Sequence, residues 1–125
     1  MPLAAALAAL ALTAPAPADG LYRGDGVALT VRDGAVVRVR ARVPEMLCDP
    51  FGDIGPLRIV DAPAAPVGGD GRVRFTVGPP SERLTLAARF GREGRARGRL
   101  RVRGTIGTGD PCRSPRQRFV LGLQP

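Results

Sequence analysis

The sequence predicts an all-β fold: an antiparallel β-sandwich of seven or eight short strands, with a small closed β-barrel as the alternative. Three observations support this prediction. Apolar and polar residues alternate with a period of two in several short runs, as they do in strands with one buried side. Glycine, proline and aspartate separate these runs at the spacing of turns. Helical periodicity is nearly absent.

The first eighteen residues are predicted to be a signal peptide. Residues 3–12 are an unbroken apolar run, and small residues stand before a cleavage site after Ala18. The run is too short for a transmembrane helix, which needs about 20 residues. We therefore expect one all-β domain over residues 19–125, with no integral membrane segment after processing. Its expected location is periplasmic, cell-wall-associated or extracellular.

Residues 27–43 predict a β-hairpin around the turn dipeptide Asp33-Gly34. The residues expected on its buried side are Val27, Leu29 and Val31 on the first strand and Val37, Val39, Ala41 and Val43 on the second. The outer side of the second strand is expected to carry Arg38, Arg40 and Arg42.

The remainder of the chain predicts a loop over residues 44–56, an edge strand over residues 57–60 and four longer strands. These four strands are expected at residues 72–77, 84–90, 95–103 and 117–123. Their expected core residues are Val73, Phe75, Val77, Leu84, Leu86, Ala88, Phe90, Ala96, Leu100, Val102, Phe119, Leu121 and Leu123.

Two cysteines, Cys48 and Cys112, are the complete set in the chain. An even number in an exported protein indicates a disulfide rather than metal ligands or a nucleophile. The two are 64 positions apart, so the chain-entropy estimate for the link is on the order of 4 kcal/mol. A bond from a mid-chain loop to the start of the last strand would join the two sheets or fasten the loop to a sheet edge.

The order of these motifs resembles a group of small exported β-domains from high-GC bacteria, over most of the predicted mature chain. The resemblance implies an exported β-sandwich and brings no catalytic or binding residue with it. The features that carry it are Tyr22 and Gly24, the hairpin of residues 27–43, Cys48, the segments 70–75 and 91–98, and Cys112 followed by an aromatic strand.

The chain contains nineteen arginines, no lysine and eleven carboxylates, which gives a net charge of +8. Arg97, Arg99 and Arg101 are expected on one side of a strand, and Arg38 and Arg40 on one side of another. If these strands share a sheet, the arginines form a cationic surface suited to an anionic cell-envelope polymer or protein. Aromatic residues do not interleave with them, so stacking of single-stranded nucleic acid is poorly supported. The alternative is a solvated outer surface enriched in arginine by the codon bias of a high-GC genome.

The sequence lacks the residue types that most catalytic mechanisms require. Without histidine, the usual nucleophile-activating bases and histidine metal sites are excluded. Without lysine, Schiff-base chemistry and the Walker phosphate loop are excluded. The predicted disulfide removes both thiolates. We therefore expect a non-enzymatic structural or binding module that needs no cofactor.

One carboxylate cluster supports a competing hypothesis. The disulfide would bring Asp49 near Asp110, with Asp53 in the same loop. Such oxygens could hold calcium, which takes 6–8 oxygen ligands, and could serve an extracellular hydrolase that uses the carboxylates alone or with calcium. The alternative is that they are solvated loop carboxylates near Arg113 or Arg116. Their grouping in one concave pocket would favour the enzyme.

Overall fold

The computed structural model describes residues 16–50, 52–105, 107 and 109–125, so most of the predicted signal peptide lies outside the described residues. The described chain is all-β, as predicted, with eight strands of five residues or more and four shorter ones. The strands are β1 (Gly20–Gly24), β2 (Val27–Arg32), β3 (Ala35–Val43), β4 (Leu47–Cys48), β5 (Gly52–Asp53), β6 (Leu57–Asp61), β7 (Ala65–Pro66), β8 (Arg72–Val77), β9 (Glu82–Phe90), β10 (Arg95–Thr105), β11 (Pro111–Arg113) and β12 (Gln117–Leu123).

All twelve strands belong to one antiparallel sheet, which does not close into a barrel. The main order is β5-β4-β11-β10-β12-β1-β2-β3-β6, while β9 pairs with β10 and β8 with β9. The first long strand, β1, lies between β2 and the last strand, β12. The closed-barrel alternative is therefore wrong, and the architecture is sandwich-like.

One hydrophobic core fills the inner side of this curved sheet. The rings of Tyr22 on β1 and Phe90 on β9 meet edge to face with centroids 4.9 Å apart, although two strands separate β1 from β9 in the sheet. The predicted core residues Phe75, Leu86 and Phe119 are buried. Val77 and Leu123 are only half-buried, because each is the last residue of its strand.

Three hairpin turns use the dipeptides Asp25-Gly26, Asp33-Gly34 and Glu93-Gly94, with positive φ at both residues of each pair. This backbone matches the right-handed twist of the flanking strands. The second of these turns was predicted as such.

The return strand of the predicted hairpin contains a bulge. Thr30 pairs with Arg38, but the next residue, Val31, pairs with Val36, so Val37 is an extra residue. Val36 is therefore buried, whereas Val37, predicted in the core, is half-buried. Alternation alone could not reveal this change of side.

The Cys48–Cys112 disulfide is present as predicted. Cys48 lies in β4 rather than in an irregular loop, and Cys112 lies in the separate strand β11 rather than at the start of the last strand. These two cysteines are directly opposed in the β4–β11 ladder. The bond therefore holds two very short strands together at the end of β10. In the part of the chain that the structure describes, no helix has the length and apolar character to span a membrane.

Candidate functional site

Strand β10 presents five arginines on its outer side. Ala96, Leu100 and Val102 are buried, and the arginines at the alternate positions point the other way. The predicted residues Arg97 and Arg99 are exposed, and Arg101 is half-buried. Successive arginines on this side are about 6.7 Å apart, since a strand rises by 3.2–3.4 Å per residue.

Neighbouring strands extend this row into a two-dimensional array. Arg97 is paired with Arg89 on β9, and Arg89 is paired with Arg72 on β8, so three strands contribute one row. We call the outer side of β8 to β12 the arginine face. Its arginines are Arg72, Arg74, Arg83, Arg89, Arg95, Arg97, Arg99, Arg101, Arg103, Arg113, Arg116 and Arg118.

Few carboxylates oppose this charge. Within the described residues, the arginine face has one ion pair, Arg72 to Asp70 at 3.8 Å, between largely exposed side chains. Strands β8, β10 and β12 contain no aspartate or glutamate, and β9 has only Glu82, at its first residue. The face therefore projects a positive field into solvent that is reduced mainly by salt.

The charge is also divided along the chain. Residues 1–69 contain six arginines against seven carboxylates, whereas residues 70–125 contain thirteen against four. The two parts thus carry −1 and +9 of the net +8. The net charge of the whole chain does not show this division, but a count of charged residues in each half of the sequence does.

Arg38 and Arg40 point outward from β3, as predicted, but they do not join the arginine face. Although β3 and β10 share a sheet, β12, β1 and β2 lie between them. Four interstrand steps of about 4.8 Å put the two rows about 19 Å apart along the sheet. We call the outer side of β1, β2, β3 and β6 the mixed face. Its side chains are Leu21, Arg23, Ala28, Thr30, Arg32, Arg38, Arg40, Arg42, Arg58 and Val60.

The predicted carboxylate cluster surrounds the disulfide but does not form a cage. Asp53 accepts a hydrogen bond from the Gly55 N–H at 2.7 Å, and the Asp110 carbonyl lies 3.8 Å from the Cys112 sulfur. Among described residues, no group of three or more Asp, Glu, Cys or His side chains is arranged to hold a metal. The geometry therefore gives the proposed calcium site of Asp49, Asp53 and Asp110 no support.

A depression of about 760 Å³ lies beside the disulfide. Of the three candidate carboxylates, Asp49 alone lines it among described residues, and it shares the lining with Arg103 and Arg113. Among the described residues, the grouping of carboxylates that would favour the hydrolase alternative is not found in this depression.

Comparison with models of known protein families, with curated proteins and with solved structures finds no match to this chain. Function is therefore inferred from the side chains of the arginine face and their surroundings.

Proposed function

We propose that this protein is a non-enzymatic exported module that binds an anionic cell-envelope polymer on the arginine face. The observation that carries the proposal is the division of charge, with +9 on residues 70–125 and −1 on residues 1–69. Codon bias acts on the whole gene and offers no reason for this division. A surface needed only for solubility works best with both signs interspersed.

The arrangement of the arginines suits a polymer better than a small ligand. Rows about 6.7 Å apart along the strands and about 4.8 Å apart across them repeat in two directions. A chain of regularly spaced anions can engage several guanidinium groups at once, and each group can form paired hydrogen bonds with an oxyanion. Many weak contacts then add up to stable attachment.

Among the described residues, the arginine face has no aromatic side chain on which a base could stack, and this narrows the class of polymer. The aromatic residues Tyr22, Phe75, Phe90 and Phe119 are all buried in the core, and none of the described ones lies on the arginine face. Base stacking, which supplies much of the affinity for single-stranded nucleic acid, has no partner there. This supports an envelope polymer recognised by charge.

Two features support export. The predicted signal peptide over residues 1–18 would direct the chain out of the cytoplasm. The Cys48–Cys112 disulfide is of the kind that persists in oxidising compartments.

The proposal is tested by comparing two triple variants of equal charge. R97Q/R99Q/R101Q removes three consecutive arginines from the arginine face, and R38Q/R40Q/R42Q removes three from the mixed face. Binding of wild type to polyphosphate and to dextran sulfate should weaken steeply between 0.05 and 0.5 M salt, because screening shortens the range of charge interactions. The first variant should lose about tenfold in affinity, if each arginine contributes roughly 0.5 kcal/mol.

The mixed-face variant is expected to lose less than about threefold, through its reduced net charge alone. Equal losses in both variants would show that net charge, not the arginine face, determines binding. An absence of wild-type binding at low salt to any anionic polymer would overturn the proposal. Circular dichroism of each variant establishes that the fold is intact.

A further inference from the structure

A small cleft of about 80 Å³ opens in the middle of the arginine face. Its origin is the register of three strands: Arg74 on β8 is paired with Ala87 on β9, which is paired with Arg99 on β10. One short side chain between two long ones leaves a hole. Arg101 and Arg116 complete the rim, and Thr85 adjoins Ala87 on the floor.

The fourth arginine is held in place by a buried anchor. Ser114 is buried, and its hydroxyl accepts a hydrogen bond from the Val102 N–H at 2.7 Å. The Ser114 N–H in turn donates to the Val102 carbonyl at 2.8 Å. The Pro115 ring fixes its own φ and restricts Ser114 before it, so a short, stiff segment leads from this anchor to Arg116, which lines the cleft together with Arg101.

Thr85 adds a neutral donor. Its hydroxyl lies 3.3 Å from the Thr76 hydroxyl, so one of the two donates to the other. When Thr76 donates, the Thr85 proton is free to point into the cleft, since a hydroxyl can donate and accept at the same time. The cleft then offers four guanidinium groups and one hydroxyl, and no carboxylate of the described residues lines it.

The donor set and the size define the ligand. A carboxylate presents two oxygens in one plane, which suits one or two guanidinium forks. Four arginines from β8, β10 and the segment between β11 and β12 suit a group whose oxygens point in several directions, as those of a tetrahedral group do, and the small size of the cleft, about 80 Å³, suits a single such group. Resting on the function proposed above, we infer that the cleft seats one phosphate or sulfate ester group, so that the bound polymer is phosphorylated or sulfated rather than only carboxylated.

The test fills the cleft without changing the charge. Ala87→Leu places a larger side chain on its floor. The matched control is Ala28→Leu, an outward alanine of the mixed face that lies between Arg23 and Arg40. Wild type should bind polyphosphate or dextran sulfate about tenfold more tightly than polyglutamate at equal charge and salt, since a tetrahedral group in the cleft can accept charged hydrogen bonds that a planar carboxylate cannot all form.

A87L should reduce that preference to less than about twofold, whereas A28L should retain it. R99K/R101K, which keeps the charge and loses the guanidinium forks, provides a second variant if A87L unfolds, and it should also lose the preference. Comparison of polyphosphate with dextran sulfate then shows whether the cleft prefers phosphate or sulfate groups.

Equal wild-type affinity for all three polymers would overturn the proposed role of the cleft, and the arginine face would then be a general polyanion-binding surface. A preference that survives in both A87L and R99K/R101K would also overturn it. Failure of the proposed function is distinct, because then no polymer binds even at low salt.

Discussion

The arginine face and the mixed face are built from the same strand pattern, yet their arginines have different neighbours. On the arginine face, Arg89 lies between Arg72 and Arg97 on the adjacent strands. On the mixed face, Arg40 lies between Ala28 and Val60. Arg42 opposite Arg58 is the one opposed arginine pair in the described strands of that face. Like charges directly opposite each other destabilise a sheet. The number of arginines on one strand therefore says little about function until the strands beside it are known.

This difference bears on why the arginine face exists. Each opposed arginine pair lowers the stability of the domain, and the described strands hold five such pairs on the arginine face against one on the mixed face. Retention of several unfavourable pairs is expected where stability is exchanged for binding. The five predictions below test how the two faces are supported and what the charge costs.

The largest expected effect concerns the core that both faces share. Phe119→Ala should destabilise the domain by about 4–5 kcal/mol, because its side chain is only 1% exposed and sits between β10 and β1. Phe75→Ala should cost less, about 3 kcal/mol, since Phe75 is 9% exposed on the edge strand β8. Urea unfolding measures both. A smaller loss for Phe119 than for Phe75 would contradict this ranking.

The second prediction concerns the buried side of β10, the strand that carries the arginine row. A Cβ on Gly98 would lie 2.6 Å from Cζ of Phe119 and would also meet the Ala87 carbonyl. Gly98→Ala should therefore destabilise the domain by about 1–3 kcal/mol through overpacking. Gly122→Ala is the matched control on β12, where a Cβ would meet nothing within 4 Å. Equal unfolding midpoints for the two variants would show that the close approach at Gly98 is relieved without cost.

The third prediction concerns the hydrogen bond made by the hydroxyl of the buried Tyr22. Tyr22, which packs on Phe90, donates a hydrogen bond to the Ala18 carbonyl at 2.9 Å. In a chain that retains Ala18, Tyr22→Phe should cost about 0.5–1.5 kcal/mol at neutral pH. In a chain that starts at Asp19, the acceptor is gone and the cost should vanish. Thermal unfolding of both chains provides the comparison.

The same residue predicts the response to alkali. Burial raises the pKa of Tyr22 above its ordinary value of 10.0, and the Asp19 carboxylate raises it further. The folded state therefore favours the neutral phenol, and this stability is complete below pH 10 and is lost as pH rises through the raised pKa. With no lysine and a single tyrosine, the chain has few other groups that titrate there. Tyr22→Phe should flatten the alkaline decline, and an unchanged pH profile would contradict this assignment.

The smallest expected effect measures the cost of the charge array. Arg89→Gln removes two opposed pairs and should stabilise the domain by about 0.2–1 kcal/mol in low salt. The gain should disappear near 1 M salt, where the Debye length is about 3 Å. Arg40→Gln, flanked by Ala28 and Val60, should leave stability unchanged at both salt concentrations. A loss of stability in R89Q would show that Arg89 supports the fold.

Strands with strict alternation could be predicted from sequence, because burial of one side is a local property. The strands over residues 72–77 and 117–123 were found in this way, whereas the hairpin turn followed from the Asp33-Gly34 dipeptide and the disulfide from the even number of cysteines. Strand β1 was missed because its five residues form a strand through pairing with β2 and with the distant β12. The repeated turn dipeptide at Asp25-Gly26 was the available local signal.

The candidate site shows the same difference between features that are local in sequence and features that depend on strand order. That Arg97, Arg99 and Arg101 point outward together follows from alternation, whereas their neighbours depend on strand order. The cleft joins Arg74, Arg99 and Arg116 through pairings between distant segments, so no local pattern contains it. For the same reason, the separation of Arg38 from Arg99 required the order of the sheet.

The position of β1 beside β12 has a consequence for how the chain acquires its shape. Strand β1 completes its pairing only when Gly122 and Leu123 reach it, and the Leu21 carbonyl accepts from the Gln124 N–H at 2.8 Å. A chain that is delivered from its N-terminal end, by a ribosome or through a pore, therefore cannot finish this sheet until residues 117–124 have emerged. Until then β1 exposes an unpaired edge. Loss of the final eight residues would remove most of β12 and leave both the arginine face and the mixed face without the strand that joins them.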